Sequence, residues 1–229
     1  MVGCSGSVPG PEQACSCYLV EQDGFRLLLD LGTGAAGPLQ RYAAAEDIDA
    51  VVLSHTHGDH WSDLPHLGYL RTLPPSYRPL TVIGPSTMPE VLRTNPDVFA
   101  ASVAGPGART VGPLSLRLAR VDHGECWASR VGDALCYTAD SGPCPALDEL
   151  AYGCAVLLAE ASGLDADAPL AGRHLTAGDA GRLAARAGAR LLILTHLRPW
   201  QDHDPLLAEA GAVAGCPTVL ARPGLRLHL

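Results

Sequence analysis

The chain has 229 residues, a length that suits one domain with a sizeable hydrophobic core. Its formal net charge is −8, and its basic residues form no cluster with interleaved aromatic side chains, which argues against a protein that grips long RNA or DNA. Because the sequence contains no run of about twenty unbroken apolar residues and no signal-peptide pattern, it predicts neither a membrane span nor export and favours a cytoplasmic protein.

The first predicted elements are the two strands of a hairpin, residues 17–20 and 25–29, because apolar residues flank a turn at residues 22–24. A first helix is predicted over residues 38–45. Residues 48–53 form a short apolar run with several β-branched side chains, which is typical of a buried strand.

The most informative motif begins where this third strand would end. Residues 54–60, Ser-His-Thr-His-Gly-Asp-His, place three imidazoles and a carboxylate within six positions. His55 and His57 are two residues apart, so both side chains point the same way in an extended segment. Asp59 and His60 follow a glycine that permits the chain to turn. The motif can therefore offer two histidines to one metal ion and an aspartate–histidine pair to another, and such ligands suit Zn²⁺, Mn²⁺ or Fe.

The segments after the motif alternate between helix and strand patterns. In chain order they predict a helix with Trp61, Leu64 and Leu67, a proline-rich loop over residues 73–79, a strand over 80–84 and a short helix over 87–93. Residues 94–113 carry mixed turn signals and receive no assignment. The last third predicts a helix over 147–152, a strand over 155–158, a helix with Ala180, Leu183, Ala184 and Ala187 on one face, a helix over 204–213 and closing strands over 218–221 and 225–227.

Three further predicted strands end close to a histidine or an aspartate. They cover residues 114–121, 133–139 and 189–194, and they lead to His123, Asp140 and His196. In a sheet-based fold such carboxyl ends can converge on one edge, where functional sites usually form. The isolated histidines are interpreted instead as ordinary surface or core residues; these are His66, His203 and His228.

The eight cysteines raise the question of a disulfide framework or a zinc knuckle. Cys15 and Cys17 are too close together for a Cys-x-x-Cys pair, and the other cysteines are scattered. Because no export signal is present, free and largely buried thiols are expected. Cys126 follows His123 closely and is expected at most to line a pocket, without a catalytic role.

Taken together, these segments resemble the metallo-β-lactamase-fold hydrolases and, within them, the ribonuclease Z-like phosphodiesterase branch. The matching segments run nearly from end to end of the chain and comprise residues 3–9, 28–34, 55–60, 137–142, 158–162, 174–177 and 195–196. The resemblance implies a four-layer αββα sandwich that forms a single domain over residues 1–229.

The resemblance also implies a centre of two divalent ions, Zn²⁺ in the first place, with Mn²⁺ or Fe as alternatives. Its expected ligands are His55, His57 and His123 for the first ion, Asp59, His60 and His196 for the second, and Asp140 as a bridge between them. Asp30 is expected to orient one of the ligand histidines. An aspartate at the bridging position and a glycine at position 58 argue against β-lactam hydrolysis and against flavin-linked di-iron chemistry.

The predicted activity is that of a metal-dependent hydrolase of the phosphodiesterase kind. A water molecule that bridges two divalent ions has a pKa lowered toward neutrality, so hydroxide is available at working pH. Asp59 can hold or accept its proton. The resemblance assigns His174 to the substrate, because an imidazole near a helix start can bind a phosphoryl oxygen or protonate a leaving oxygen.

The expected substrate is a small phosphodiester such as a cyclic nucleotide or a dinucleotide. Ribonuclease Z proper carries a long arm that grips transfer RNA between the segments matched by His123 and Asp140, and these residues are only 17 positions apart in this chain. The expected partner is thus a small molecule, with neither a long nucleic acid nor a membrane. The resemblance also suggests a homodimer, since relatives often form one.

Two other functions fit the same residues. The first is a thioester or lactone hydrolase of a biosynthetic pathway, which an apolar pocket wall of Trp61, Leu64, Tyr69 and Trp200 would favour. The second is a binding protein on a decayed scaffold, against which the intact ligand set argues. Arg198 can either pair with an anionic substrate group or lie in solvent.

Overall fold

The computed structural model of the chain describes residues 1–167 and 173–228. Its strands are β1 (Tyr18–Gln22), β2 (Phe25–Leu29), β3 (Ala50–Val52), β4 (Leu80–Gly84), β5 (Phe99–Val103), β6 (Gly107–Val111), β7 (Leu114–Val121), β8 (Cys126–Val131), β9 (Leu135–Tyr137), β10 (Val156–Glu160), β11 (Leu191–Thr195) and β12 (Thr218–Leu220). Its helices are α1 (Ala36–Leu39), α2 (Gly58–Trp61), α3 (Leu64–Arg71), α4 (Glu90–Arg93), α5 (Pro145–Ala151), α6 (Ala177–Ala187) and α7 (Asp204–Val213), with a 3₁₀ helix at Ala45–Asp47.

The strands form two sheets that place several carboxyl ends at the same edge. The first sheet has the order β1-β2-β3-β4-β5, in which only the β1–β2 hairpin is antiparallel. The second sheet has the order β12-β11-β10-β9-β8-β7-β6 and is antiparallel from β6 to β9 and parallel from β9 to β12. Because two antiparallel steps separate β7 from β9, both run in the direction of β10 and β11.

Side chains of the central strands alternate between two buried clusters, as the period of a strand requires. Leu27 and Leu29 of β2 belong to the large cluster shared with the second sheet. Leu28 points the other way, into a cluster with Leu64 and Leu67 of α3. The two sheets therefore pack face to face with helices on their outer sides, and the predicted four-layer αββα sandwich is confirmed.

The helices outside the second sheet have clear sequence signals. Helix α6 buries Ala180, Leu183, Ala184 and Ala187, the face predicted from the sequence. It begins with a capping box, in which Thr176 and Asp179 bond each other's backbone N–H groups, and it ends at Gly188, whose φ is +65°. Among the described residues, no helix combines the length and the apolar character that a bilayer crossing requires.

Two predicted elements are wrong, and contacts with distant residues explain both. Instead of a helix over residues 38–45, helix α1 ends at Leu39, and the guanidinium of Arg71 donates hydrogen bonds to the carbonyls of Ala45 and Ile48, each at 2.7 Å. Residues 225–227 form no strand, because this segment turns toward the amino terminus, where the Met1 amino group donates to the carbonyl of Leu225 at 2.7 Å. The unassigned residues 94–113 contain β5 and β6.

One end of the first sheet borders an open cavity. Strand β1 is the last strand of that sheet, and the N–H and carbonyl of Cys17, just before the strand, bond to residues 2 and 3 on its outer side. The cavity beside it has a volume of about 790 Å³ and is lined by Leu19, Val20 and Leu135 among others. Leu19 packs on one buried cluster and Val20 on the other, so the cavity opens onto both cores.

Candidate metal centre

The carboxyl ends of strands from both sheets meet at one edge and bring the predicted ligands together. In the first sheet, β2 is followed by Asp30 and β3 by the segment His55–His60, whose last part forms α2. In the second sheet, β7 leads to His123, β9 to Asp140 and β11 to His196. Since β7, β9 and β11 run in the same direction, these three residues reach the same edge as the first-sheet motif.

The seven predicted ligands form one group, called the histidine–aspartate cluster below. Two subsets offer ligand atoms that lie within 4.8 Å of one another: His55, His57, His123 and Asp140 in the first, and Asp59, His60 and His196 in the second. Asp140 lies between the subsets, with carboxylate oxygens 3.8 Å from Nε2 of His55, 3.3 Å from Nε2 of His60 and 3.4 Å from Nε2 of His196. The bridging role predicted for Asp140 requires such a position.

Buried polar atoms without a protein partner mark the middle of the cluster. Nε2 of His55, Nε2 of His60 and Oδ1 of Asp140 have no hydrogen-bond partner among the described residues, and all three side chains are buried. A buried polar atom left without a partner costs about 1–3 kcal/mol, and such atoms are rare in folded proteins. A divalent cation would satisfy all three, and imidazole and carboxylate groups are suitable ligands for it. The residues therefore fit a metal centre.

The lowered pKa values of His55 and His57 in the first subset favour the neutral imidazole, the form that binds a cation. Burial lowers the pKa of His55 to about 2, and the charge of the nearby His60 adds to the effect. Burial also lowers the pKa of His57, with His123 as the second cause. A neutral imidazole keeps the free nitrogen lone pair that a metal ion needs. These side chains lose no proton on metal binding at neutral pH.

The carboxylates of the cluster attract positive charge. Burial alone would raise the pKa of Asp140, but His196 and His60 hold it well below its usual range. Burial alone would likewise raise the pKa of Asp59, but its 3.1 Å hydrogen bond with His196 and the charges of His60 and His196 together lower it. Burial would lower the pKa values of His60 and His196, yet the carboxylates, Asp140 first, raise both. A divalent cation would supply the positive charge that these carboxylates otherwise draw from protonated histidines.

Asp30 holds a ligand histidine. The side chain is fully buried, and its Oδ2 lies 2.8 Å from Nδ1 of His60. The same oxygen accepts a hydrogen bond from the Tyr137 hydroxyl at 2.8 Å, and Oδ1 accepts the Ser54 backbone N–H at 2.7 Å. This placement agrees with the orienting role that the family resemblance implied for Asp30.

Glu160 contacts the site, although the sequence pattern assigned it no individual role within segment 158–162. It ends strand β10, is fully buried and accepts hydrogen bonds from the Ser141 N–H at 2.6 Å and the Ser162 hydroxyl at 2.6 Å. Its Oε2 also lies 2.9 Å from Nδ1 of His174. A glutamate that closes an apolar run was the available signal, because a buried carboxylate requires several donors.

His174 stands at the side of the cluster that faces solvent. Its ring centroid is 4.7 Å from that of His123 and 6.0 Å from that of His196, with the latter ring nearly parallel. Its Nδ1 lies 3.9 Å from a carboxylate oxygen of Asp140, so it also forms a potential ligand set with Asp140 and His196. Its shorter contact with Glu160 favours an orienting hydrogen bond over a metal bond at that nitrogen.

Two glycine-rich segments pack directly against the cluster. A Cβ at Gly6 would lie 2.7 Å from Nδ1 of His196, and one at Gly32 would lie 1.8 Å from the carbonyl oxygen of Asp59. The neighbouring Ser7 donates its backbone N–H to Oδ2 of Asp59 at 2.7 Å. Only glycine permits such close approach of the backbone, which explains the glycines in residues 3–9 and 28–34.

Three residues of the site have left-handed backbone conformations that the sequence did not reveal. The φ angle is +60° at Asp30, +52° at Ala139 and +54° at His196. Such conformations are uncommon for residues other than glycine and cost about 1–3 kcal/mol each, and they concentrate at functional sites. Each of the three follows a strand and turns the chain where a cluster side chain is placed.

The remaining histidines, the cysteines and several apolar residues lie outside the histidine–aspartate cluster. His66, His203 and His228 are not part of it, as predicted. All eight cysteines are free thiols, as predicted, and Cys126 is fully buried in the core, where burial raises its pKa. Of the residues whose apolar wall would favour an acyl hydrolase, Leu64 is buried in the hydrophobic core on the outer side of the first sheet, and Tyr69 and Trp200 are 68% and 64% exposed.

Comparison with known proteins agrees with this geometry. The family pattern described as beta-lactamase superfamily domain matches residues 25–197. The probable metallo-hydrolase YhfI of Bacillus subtilis is 32% identical over an alignment of 238 positions, which includes 98% of this chain and 96% of YhfI. A ribonuclease Z of Thermobifida fusca is 29% identical over an alignment of 296 positions, which includes 99% of this chain and 93% of that protein.

Solved structures extend the agreement to the whole fold. The crystal structure of YhfI superimposes with a TM-score of 0.90 at 31% identity and covers 98% of this chain and 95% of YhfI. A diphosphatase from the PhnP family reaches a TM-score of 0.79 at 20% identity, with coverage of 100% and 96%, which supports the fold alone. The resemblance read from the motifs and the hydrolase class are confirmed. The chain belongs to the beta-lactamase superfamily and is a metallo-hydrolase with ribonuclease Z among its relatives.

Proposed function

We propose that the protein hydrolyses a small phosphodiester, such as a cyclic nucleotide or a dinucleotide, with two divalent ions held by the histidine–aspartate cluster. The observation that carries the proposal is His174, which stands beside His123 and His196 and is held through Nδ1 by the buried Glu160. An imidazole fixed in this way suits an anionic phosphoryl group. The name ribonuclease Z, borne by a relative of 29% identity, supports phosphate chemistry.

The proposed ions, Zn²⁺ in the first place, are assigned to the two ligand subsets. His55, His57 and His123 would hold one, Asp59, His60 and His196 the other, with Asp140 between them. Divalent ions bound there would lower the pKa of a coordinated water and neutralise charge on substrate oxygens. His57 is exposed and His123 half-buried, whereas His55 and Asp140 are buried, so substrate would approach from the side of His57 and His123.

Asp59 and His174 are the proposed proton carriers. The lowered pKa of Asp59 keeps its carboxylate charged, and the Ser7 N–H and His196 fix it in place, so it can orient an attacking water and accept a proton. Burial would lower the pKa of His174, but the hydrogen bond with Glu160 raises it. The raised pKa favours the protonated ring, which can bind a phosphoryl oxygen and donate a proton to the leaving oxygen.

The short chain between the ligand segments supports a small substrate. Between His123 and Asp140 the chain forms only strands β8 and β9, joined by the turn at residues 132–134. No arm extends from this part of the fold. A formal net charge of −8 also argues against a long polyanionic substrate.

The test is a substrate comparison with metal-reconstituted protein. Bis-p-nitrophenyl phosphate, 2′,3′- and 3′,5′-cyclic nucleotides, a dinucleotide and a panel of thioesters and lactones are assayed with Zn²⁺ and Mn²⁺. We expect turnover of at least one cyclic nucleotide or dinucleotide and loss of that turnover in Asp59→Asn. Hydrolysis confined to the thioesters or lactones would replace the phosphodiester proposal with the acyl hydrolase alternative.

A further inference from the structure

In each sheet, a buried carboxylate beside the histidine–aspartate cluster contacts two histidines, one directly and one through a serine hydroxyl. In the first sheet, Oδ2 of Asp30 lies 2.8 Å from Nδ1 of His60. The same oxygen accepts the Ser54 hydroxyl at 2.8 Å, and that hydroxyl oxygen lies 3.0 Å from Nδ1 of His55. One carboxylate thus connects a histidine of each ligand subset.

The second sheet repeats the arrangement with different residues. Oε2 of Glu160 lies 2.9 Å from Nδ1 of His174 and accepts the Ser162 hydroxyl at 2.6 Å. The oxygen of that hydroxyl lies 3.2 Å from Nδ1 of His196. Nδ1 of His196 is 3.7 Å from Oε2 of Glu160, beyond hydrogen-bonding distance, so the serine mediates the contact.

The direction of these hydrogen bonds follows from the chemistry of a hydroxyl group. A serine has one proton to donate, and an ionised carboxylate can only accept. Because the serine donates its proton to the carboxylate, its oxygen accepts a second hydrogen bond from the histidine ring. The Nδ1 atom of that ring therefore carries a hydrogen. Nε2 is then the nitrogen available to a cation, and Nε2 of His55 and of His196 faces Asp140 and the middle of the cluster. At His196 a bound cation would replace the proton through which Nε2 contacts Asp59 at 3.1 Å.

We propose that Ser54 and Ser162 are positioning residues that fix the Nε2-binding tautomer of His55 and His196, one in each ligand subset. The proposal rests on the metal centre proposed above. Both serines are 1% exposed, so no water competes for their hydroxyls. Loss of such a supporting hydrogen bond typically weakens metal binding by about 10- to 100-fold.

The test measures cobalt binding rather than activity. Metal-free protein is titrated with Co²⁺, and bound ion is followed by visible absorption in competition with a chelator, for Ser54→Ala, Ser162→Ala, Ser54→Thr and Ser162→Thr. We expect each alanine variant to bind one of two ions about 10- to 100-fold more weakly and each threonine variant to retain binding, because threonine keeps the hydroxyl.

Ser129→Ala is the matched control. Ser129 is also 1% exposed, and its hydroxyl has no hydrogen-bond partner in the part of the chain that the structure describes. Its removal tests the loss of a buried hydroxyl as such, and it should leave Co²⁺ affinity unchanged. Circular dichroism and thermal melting confirm that all variants are folded.

The outcomes separate the two proposals. Unchanged affinity in both alanine variants, or equal weakening in Ser129→Ala, would overturn the role of the serines while leaving the metal centre intact. Failure of the unmutated protein to bind Co²⁺ and Zn²⁺ would instead overturn the metal centre itself. Weaker binding that threonine does not restore would also contradict the role of the hydroxyl.

Discussion

Individual residues of the centre differ in whether they face the expected ions or the solvent. His55, His60 and Asp140 are buried and direct partnerless atoms toward one another, which is the arrangement of ligands. His174 is half-buried at the side that faces solvent, and its hydrogen bond with Glu160 fixes the ring there, so we expect it to act on substrate. Substitution of a predicted ligand and substitution of His174, only a few ångströms away, are therefore expected to have different effects on metal content.

Replacement of His174 by alanine should leave metal content unchanged and reduce phosphodiester turnover. Because general acid–base catalysis by one side chain contributes about 10²- to 10⁴-fold, a loss of that size in kcat is expected. Metal content by elemental analysis and kcat with bis-p-nitrophenyl phosphate check this. His66→Ala is the control, since this histidine is exposed and lies outside the cluster. Loss of an ion from His174→Ala would identify it as a ligand in the set with Asp140 and His196.

Among the elements, those defined by local pattern were predictable and those defined by distant contacts were not. Strand β7 and helix α7 have the bounds read from the sequence, because apolar alternation marks the strand and a proline in the first turn marks the start of the helix. The segment of the wrongly predicted first helix is held instead by Arg71, whose guanidinium comes from α3. A hydrogen bond across more than twenty residues leaves no local pattern, so sequence reasoning had no means to find it.

The same distinction applies to the candidate site. The seven residues that the structure brings together could be selected from the sequence, because they lie in a dense motif and at three strand ends. Ser54 and Ser162 could not, since serine is common and its role here depends on which carboxylate lies behind it. The left-handed conformation of Ala139 was equally hidden, as alanine carries no turn signal. The bounds of a single domain over residues 1–229 stay a prediction.

At the level of the element, the start of α6 supports the loop that carries His174. The Thr176 side chain accepts the Asp179 N–H at 3.0 Å and also donates to Asp165. Thr176→Ala should lower the free energy of unfolding by about 1 kcal/mol, the usual cost of losing an N-cap. Urea denaturation followed by circular dichroism measures it. Thr176→Ser keeps the capping oxygen and should lose much less; equal losses in both variants would show that the cap contributes nothing.

For the whole molecule, the centre lies across the seam between the two sheets. His55, Asp59 and His60 follow a strand of the first sheet, whereas His123 and His196 follow strands of the second. Ions bound by both groups would join the two sheets, in addition to the buried cluster that they share.

Removal of the metal should therefore destabilise the entire sandwich. A ligand that binds only the folded state stabilises it by about 2.7 kcal/mol at one hundred times its Kd. We expect chelator-treated protein to melt at a lower temperature in calorimetry and Zn²⁺ to restore the original Tm. Mg²⁺, which prefers oxygen ligands, should restore little. An identical Tm with and without zinc would contradict a cross-sheet metal centre.

The outer strand of the first sheet has a consequence for solubility. Along β1, the backbone groups beyond Cys17 lack a neighbouring strand on their outer side, and unpaired edges of this kind tend to recruit the edges of other molecules into larger sheets. Glu21 stands in this stretch with its side chain about half exposed and paired with Arg26. Charged side chains on an exposed edge hinder edge-to-edge pairing, so we expect this ion pair to oppose aggregation.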